Sequence, residues 1–291
     1  MDKNREAGSM SLLKIGFRTV LRNKLAVFGF AVIVLLILAS ALAPLLTPHD
    51  RDAVDLTAVY QKPSRLHLLG TDEVGRDVLT RLLYSGRVSL SVGLVSTSIA
   101  AVIGVLLGAI AGYYGGTVDF VISRMIDIVM CFPFFVIAIA LAAIMGPGIW
   151  NIMIISGVLS WTSVARMVRA QTLSLREREF IEAARALGLN SLEIILKHII
   201  PNVSAIIIVY TTLGIAGGIL SEAGLSFMGI GIKLPTPSWG NMLSAAQNLK
   251  SLQHYWWLWV PPGLLIFLTV LSINFLGDGL RDALDPKSIK R

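Results

Sequence analysis

Apolar residues along this chain form long unbroken runs, unlike the period-two or period-3.6 stripes of a half-buried strand or a surface helix. Residues 25–46 carry no charge, and as a helix they reach about 33 Å, enough to cross a bilayer. Further apolar runs at 88–112, 118–145, 149–168, 203–220 and 255–276 predict five more spans. The expected fold class is therefore all-α, a polytopic membrane protein with six transmembrane helices. The stretch Ala39–Ala43 imitates a signal-peptide cleavage site, but its apolar run is too long for one and more spans follow, so a retained first helix is expected. Polar segments fill the gaps at 1–24, 47–87, 169–202, 221–254 and 277–291.

The third of these gaps has a pattern of its own. Phe180, Ala184 and Leu187 recur at i, i+4 and i+7, with Arg178, Glu179, Glu182 and Arg185 opposite, which predicts a short amphipathic helix. Gly188 is placed to stop it in a left-handed turn. Asn190 with Glu193 has the spacing of a capping box that starts a second helix, and Pro201 is expected to close that one. Small residues also recur inside the spans: Gly104, Gly108 and Gly112 at every fourth position, extended by Gly93, Thr97 and Ala101, and again Gly214 and Gly218. Such faces let helix backbones approach closely in lipid. Pro133 predicts a kink in the third span, and Tyr255, Trp256, Trp257 and Trp259 an interfacial anchor at the start of the sixth.

Composition agrees with a membrane protein. Of 291 residues 55% are hydrophobic and 15% charged, against about 25% charged in soluble domains. The net charge of +7 does not point to nucleic acid, because the basic residues flank the apolar runs. Segments 1–24, 169–202 and 277–291, together with Arg124 and Arg166, carry 17 of the 25 Lys and Arg, and the other two gaps carry 8. That bias predicts both termini on the cytoplasmic side. The one cysteine, Cys131, excludes an internal disulfide and a cysteine metal cluster; it is expected inside the third span, shielded from both aqueous phases.

Chemistry-bearing residues are few. His67 with Asp72 and Glu73 has the makings of a metal site, but a surface helix capped near Thr71 accounts for them more simply. Arg124 and Asp127, at i and i+3 within a span, are expected to pair with each other; a proton or ion relay needs more than one such pair. His49, His67, His198 and His254 lie in loops or at interfaces, no nucleophile–base spacing occurs within a span, and no GxxxxGK[ST] phosphate loop is present. Neither a catalytic residue nor a metal ligand is expected.

Several strings resemble a known family. Glu182-Ala183-Ala184, with Gly188 four residues later, then Ile194 and Pro201, resembles the EAA loop of ABC importer permeases. His67–Arg81 is similar to the HPLGTDxxGRD segment of permeases of the dipeptide/oligopeptide/nickel family, with Leu68 where proline is usual. Arg124–Pro133 fits the RxxDxxxxFP pattern, Ser221–Met242 closely resembles the SEAxLSFLGLG…PxPxWGxML signature of the second permease subunit of peptide importers, and Asn274–Pro286 resembles NxxGDxLRDxLDP. The likeness runs from the N-terminal tail to Pro286. It implies a type I ABC importer permease fold with residues 88–286 as the permease domain, pore walls from spans two to five, and a coupling helix in which Glu179, Glu182, Ala183, Ala184 and Gly188 meet an ATPase. It implies as partners a homologous second permease in a heterodimer, two ATPase subunits holding the ATP and magnesium, an extracytoplasmic substrate-binding protein, and the lipid bilayer of a prokaryotic cytoplasmic membrane, with no nucleic acid and no cofactor in this chain. Within the external segment 221–254, the Gly/Pro-rich stretch Glu222–Met242 is expected to shape an outer gate or a dock for the binding protein through Glu222, Phe227, Met228 and Trp239. The family handles dipeptides, oligopeptides, glutathione-like peptides, and nickel or its chelates. A stand-alone secondary transporter or channel is the alternative, but internal repeats and several membrane-centre charges would be expected of it.

Overall fold

The computed structural model describes residues 21–284. The basic positions Lys3, Arg5, Lys14 and Arg18 of the N-terminal tail, and Asp285-Pro286 of the C-terminal motif, lie outside the described residues. Among the described residues regular structure is helical, apart from one bridge between Thr71 and Asp77. Five helices are long and apolar enough to cross a membrane, and a sixth candidate is a pair of helices bent by 87°.

Helix α1 (Lys24–Ala41) starts where the Asn23 side chain accepts the Leu25 and Ala26 amides at 3.1 and 3.2 Å. The one-turn α2 (Ala43–Leu46) comes next. A folded pad of residues 47–77 then leads to α3 (Val78–Tyr114), 37 residues and about 55 Å long. This helix does not begin near Thr71, nor at the apolar boundary of 88. It begins where Asp77 caps it, accepting the Thr80 amide at 2.7 Å, and residues 78–87, polar enough to read as loop, are held helical by burial of Val78, Thr80, Arg81 and Ser85.

The 118–145 run is two helices, α4 (Gly116–Cys131) and α5 (Phe134–Met145), meeting at 87°. Proline has no amide hydrogen and pushes the residue before it out of the helical region; Phe132 accordingly adopts φ −97°, ψ 138°. Cys131, at the break, is exposed on the surface of the chain and not enclosed in a continuous span.

Helix α6 (Ile149–Arg176) leads into the elbow formed by α7 (Glu179–Ala186) and α8 (Ser191–Ile194). Pro201 does not close the second helix of the elbow. A π-helical turn, Ile195–Ile199, carries the chain straight into α9 (Ile200–Phe227), the wider turn just before Pro201 making room for the ring and its missing N–H. Short elements α10 (Trp239–Leu243) and α11 (Leu249–His254) fold back before α12 (Trp256–Leu284), which takes the aromatic anchor into its first turn and runs well past the apolar stretch ending at 276.

The bundle is assembled around α3. Its glycines at 104, 108 and 112 lie against α6 so closely that a Cβ on Gly108 would sit 2.5 Å from the Ala165 carbonyl oxygen, and one on Gly112 2.6 Å from the Thr172 Cβ. Gly93 and Thr97 do not extend that face. They turn to α9, where a Cβ on Gly218 would sit 3.0 Å from the Gly93 Cα and one on Gly214 2.8 Å from the Thr97 methyl. Arg87 ties α1 to α3 by donating to the Ser40 and Ala41 carbonyls, both at 2.7 Å. Gly108→Leu should therefore split α3 from α6 and lower the thermal unfolding temperature of the purified protein sharply, or prevent folding, since even moderate overpacking costs about 1–3 kcal/mol. Gly217→Ala, at a glycine with open space around it, should leave that temperature within a degree or two.

Candidate functional sites at the two ends of the bundle

The elbow is anchored from within. Ile181 is fully buried and Ala184 nearly so, packed in one cluster with Tyr113, Val168, Ile194, Ile195 and Ile199. The apolar stripe of α7 therefore divides: Ala184 packs inward, while Phe180 is 42% and Leu187 80% exposed. The i, i+3 pair Ile181 and Ala184 faces the bundle, and Phe180 and Leu187, both about 100–120° from Ile181 on the far side of Ala184, turn away from it. Ile181 was missed because an eight-residue helix offers two overlapping apolar stripes and only packing chooses between them. Glu179, Glu182 and Ala183 are exposed. Arg185 lies over the Tyr113 ring, 5.1 Å from its centre.

At the turn, the Leu187 and Leu189 amides donate to the Ala183 and Ala184 carbonyls at 3.0 and 3.2 Å. This geometry requires the left-handed conformation of Gly188, φ 79°. A Cβ there would meet nothing within 4 Å, so backbone strain alone selects glycine. The Asn190 side chain accepts the Glu193 amide at 2.8 Å and caps α8. Glu193 itself pairs with Lys197 at 2.5 Å.

At the opposite end, the pad is a self-satisfied turn that launches α3. Asp72 accepts the amides of Val74 and Arg76, both at 3.0 Å, and the Arg76 guanidinium bridges Asp72 at 2.7 Å and Glu73 at 3.0 Å. The two carboxylates beside His67 therefore face an arginine. His67 turns instead to Asp77, 2.9 Å from its Nδ1, and stacks on His49 with ring centres 4.8 Å apart and planes 27° apart. One ligand atom from each of His49, His67 and Asp77 lies within 4.8 Å of the others, but stacked rings direct their in-plane lone pairs along separate planes, a poor donor set for one ion.

The segment after α9 is locked to α3 by a buried carboxylate. Glu222 is fully buried; Ser89 donates to its Oε2 at 2.9 Å and Ser226 to its Oε1 at 2.7 Å. The same Ser89 oxygen accepts the Trp239 amide at 3.1 Å, while the indole of Trp239, also buried, donates to the Leu82 carbonyl at 3.3 Å. Ser238 and Asn241 exchange the two bonds of a capping box. Glu222 and Trp239 thus hold the segment from inside, Phe227 is half-buried, and Met228 is 51% exposed. Arg81, which the sequence did not single out, is buried and donates to the Pro235 carbonyl at 3.3 Å, joining the pad to this segment. Between the two lies a cavity of about 630 Å³ lined by Asp72, Arg76, Arg81, Lys233 and Asn241 among others.

Apolar helices packed through glycine faces, an amphipathic elbow standing off one end and a pinned irregular segment at the other define a membrane transport permease. Residues 104–290 match the family described as binding-protein-dependent transport system inner membrane component, and residues 11–63 match the N-terminal TM domain of oligopeptide transport permease C. The chain belongs to this family of binding-protein-dependent transport permeases, whose members work with separate ATPase and binding-protein components. It is 44% identical to the dipeptide transport system permease protein DppC of Alkalihalophilus pseudofirmus, over 93% of this chain and 88% of the relative. It is 42% identical to the oligopeptide transport system permease protein OppC of Haemophilus influenzae (95% and 89%) and 40% identical to the glutathione transport system permease protein GsiD of Pectobacterium atrosepticum (93% and 90%).

Two outcomes test these geometries. Ile181→Ala should destabilise the elbow by about 2–5 kcal/mol, seen as faster hydrogen exchange across residues 179–199, whereas Leu187→Ala should leave exchange unchanged. Glu222→Ala strands the Ser89 and Ser226 hydroxyls, costs about 1–3 kcal/mol, and should open residues 229–237 to limited proteolysis that the parent chain resists.

Proposed function

We propose that this chain is one permease half of an ATP-driven importer for short peptides, seated in the cytoplasmic membrane of a prokaryote with the elbow and both termini inside. The observation that carries the reading is the elbow. A helix gripped by Ile181 and Ala184 presents Phe180, Glu182, Ala183 and Leu187 outward, so it can receive force on one face and pass it to the bundle through the other. The names of the dipeptide, oligopeptide and glutathione relatives favour peptides as cargo.

In this proposal two ATPase subunits, which bind the ATP and magnesium, grip the exposed face of α7 through Glu179, Glu182 and Ala183, while Ala184 passes the force to the bundle and Gly188 sets the angle of the turn. A related permease completes the pathway. A substrate-binding protein docks on the outer pole, where Met228 and Phe227 offer contact surface and Glu222 and Trp239 hold that surface in place. ATP binding draws the elbows together and turns the pathway outward; hydrolysis resets it.

The test is uptake and substrate-stimulated ATP hydrolysis in vesicles holding the whole importer. Glu182→Lys should cut stimulated hydrolysis at least tenfold if its contact with the ATPase is desolvated, since breaking one side of such a pair costs about 2–5 kcal/mol. Gly188→Val forces a β-branched residue into the left-handed region and should abolish uptake while leaving assembly with the second permease intact. Unchanged uptake in both variants would return the elbow to a mere connector, and labelling of a cysteine at Ser191 from outside intact cells would overturn the orientation.

A further inference from the structure

Helix α4 is anchored by a narrow stripe. It buries only Ile122 and Ile126, which pack with Ala100 near the middle of α3 and Ala111 in its last turn, and with Trp161 and Ala165 of α6. Those neighbours all fall within the apolar runs 88–112 and 149–168, so the stripe lies alongside two candidate spans. Its exposed side nevertheless carries charge: Asp127 pairs with Arg124 on its own helix at 3.2 Å and with Arg166 of α6 at 3.5 Å, and the three side chains are 43%, 61% and 54% exposed. The nearby Arg169 is answered by Asp119 at 2.6 Å, so the triad keeps one guanidinium in excess.

A second observation falls on the same helix. One turn past Asp127 the span breaks at Phe132-Pro133, where the last carbonyls of α4 lose their helical donors, and Cys131, Phe132 and Pro133 are all exposed. Hydrocarbon tolerates neither exposed charges nor open backbone. Enclosure in a dry protein interface would leave the extra guanidinium uncompensated. Water satisfies both.

We propose that the Arg124–Asp127–Arg166 triad lines the aqueous translocation pathway and forms a cationic station there for a carboxylate-bearing solute. The inference rests on the chain being a permease, and its test needs no knowledge of the cargo. Cys131 lies one turn from Asp127 and two from Arg124, so it reports on both water and local potential.

In vesicles holding the assembled importer, with the other subunits free of cysteine, Cys131 is treated with two membrane-impermeant methanethiosulfonates, the anionic sulfonatoethyl and the cationic trimethylammonium-ethyl reagent. Cys131→Ser supplies the blank. Reaction is expected in at least one of the nucleotide-free and ATP-bound states, with the anionic reagent favoured. Arg124→Gln and Arg166→Gln should each lower the anionic-to-cationic rate ratio about two- to fourfold, the Coulomb effect of one charge at about 10 Å in a wet site; Asp127→Asn should raise it and Arg124→Lys preserve it. Failure of Cys131 to react in either state would place the face against lipid or protein. A rate ratio unmoved by the arginine variants, or loss of assembly with the second permease in both, would equally overturn the proposal.

Discussion

The backbone-to-backbone contact between α3 and α6 is the constraint on which the rest of this molecule depends. Lipid gives no hydrophobic reward for burying one apolar helix against another, so association rests on close van der Waals approach. Gly104, Gly108 and Gly112 supply that approach on one side of α3, and Gly93 with Gly218 supplies it on another. Because α3 also meets α1 through Arg87 and the segment after α9 through Ser89, a single long helix sets the relative position of every other candidate span it touches. The Asp77 cap and the pad around Asp72 and Arg76 then fix where that helix begins.

Against this rigid frame the two ends differ in kind. The segment beyond α9 is tied down by Glu222, Ser89, Trp239 and Arg81, buried polar groups whose partners all lie within the chain. Such a node specifies one arrangement, since any displacement leaves a buried carboxylate or indole unanswered. The elbow has the opposite character. Its hold on the bundle is apolar and narrow, and its outer face, with Glu182 and Leu187, is unsatisfied by anything in the described residues around it.

Much of this was legible from the chain alone. Long uncharged runs, the glycines at 104, 108 and 112 and the turn at Gly188 each have a local physical cause; the glycine face and the turn stand where they were expected, and the run of 118–145 does not form one helix. What was not legible depended on tertiary choice. Hydropathy marks where a helix enters an apolar medium, not where it is capped, so α3 starts ten residues before the apolar run of 88–112. A proline can be absorbed by a π-helical turn, as at Pro201, or break a span nearly at right angles, as at Pro133, and the same residue type announces both. In α7 two apolar stripes overlap, and only the surrounding Tyr113, Val168 and Ile199 decide that Ile181 is the buried one. Glu222 read as a gate residue because its motif is Gly-rich; of the serines that enclose it, Ser89 comes from α3, 133 residues away in sequence.

The π-helical turn at Ile195–Ile199 acts as a phase shifter. One extra residue in a turn rotates everything downstream by about 100° relative to an uninterrupted α-helix. With that offset, the elbow can present Ile194 and Ile195 to the bundle while Gly214 and Gly218 of α9 still point at Thr97 and Gly93. Two surfaces on one nearly continuous rod are thereby set at independent angles, one chosen by the elbow and the other by the core.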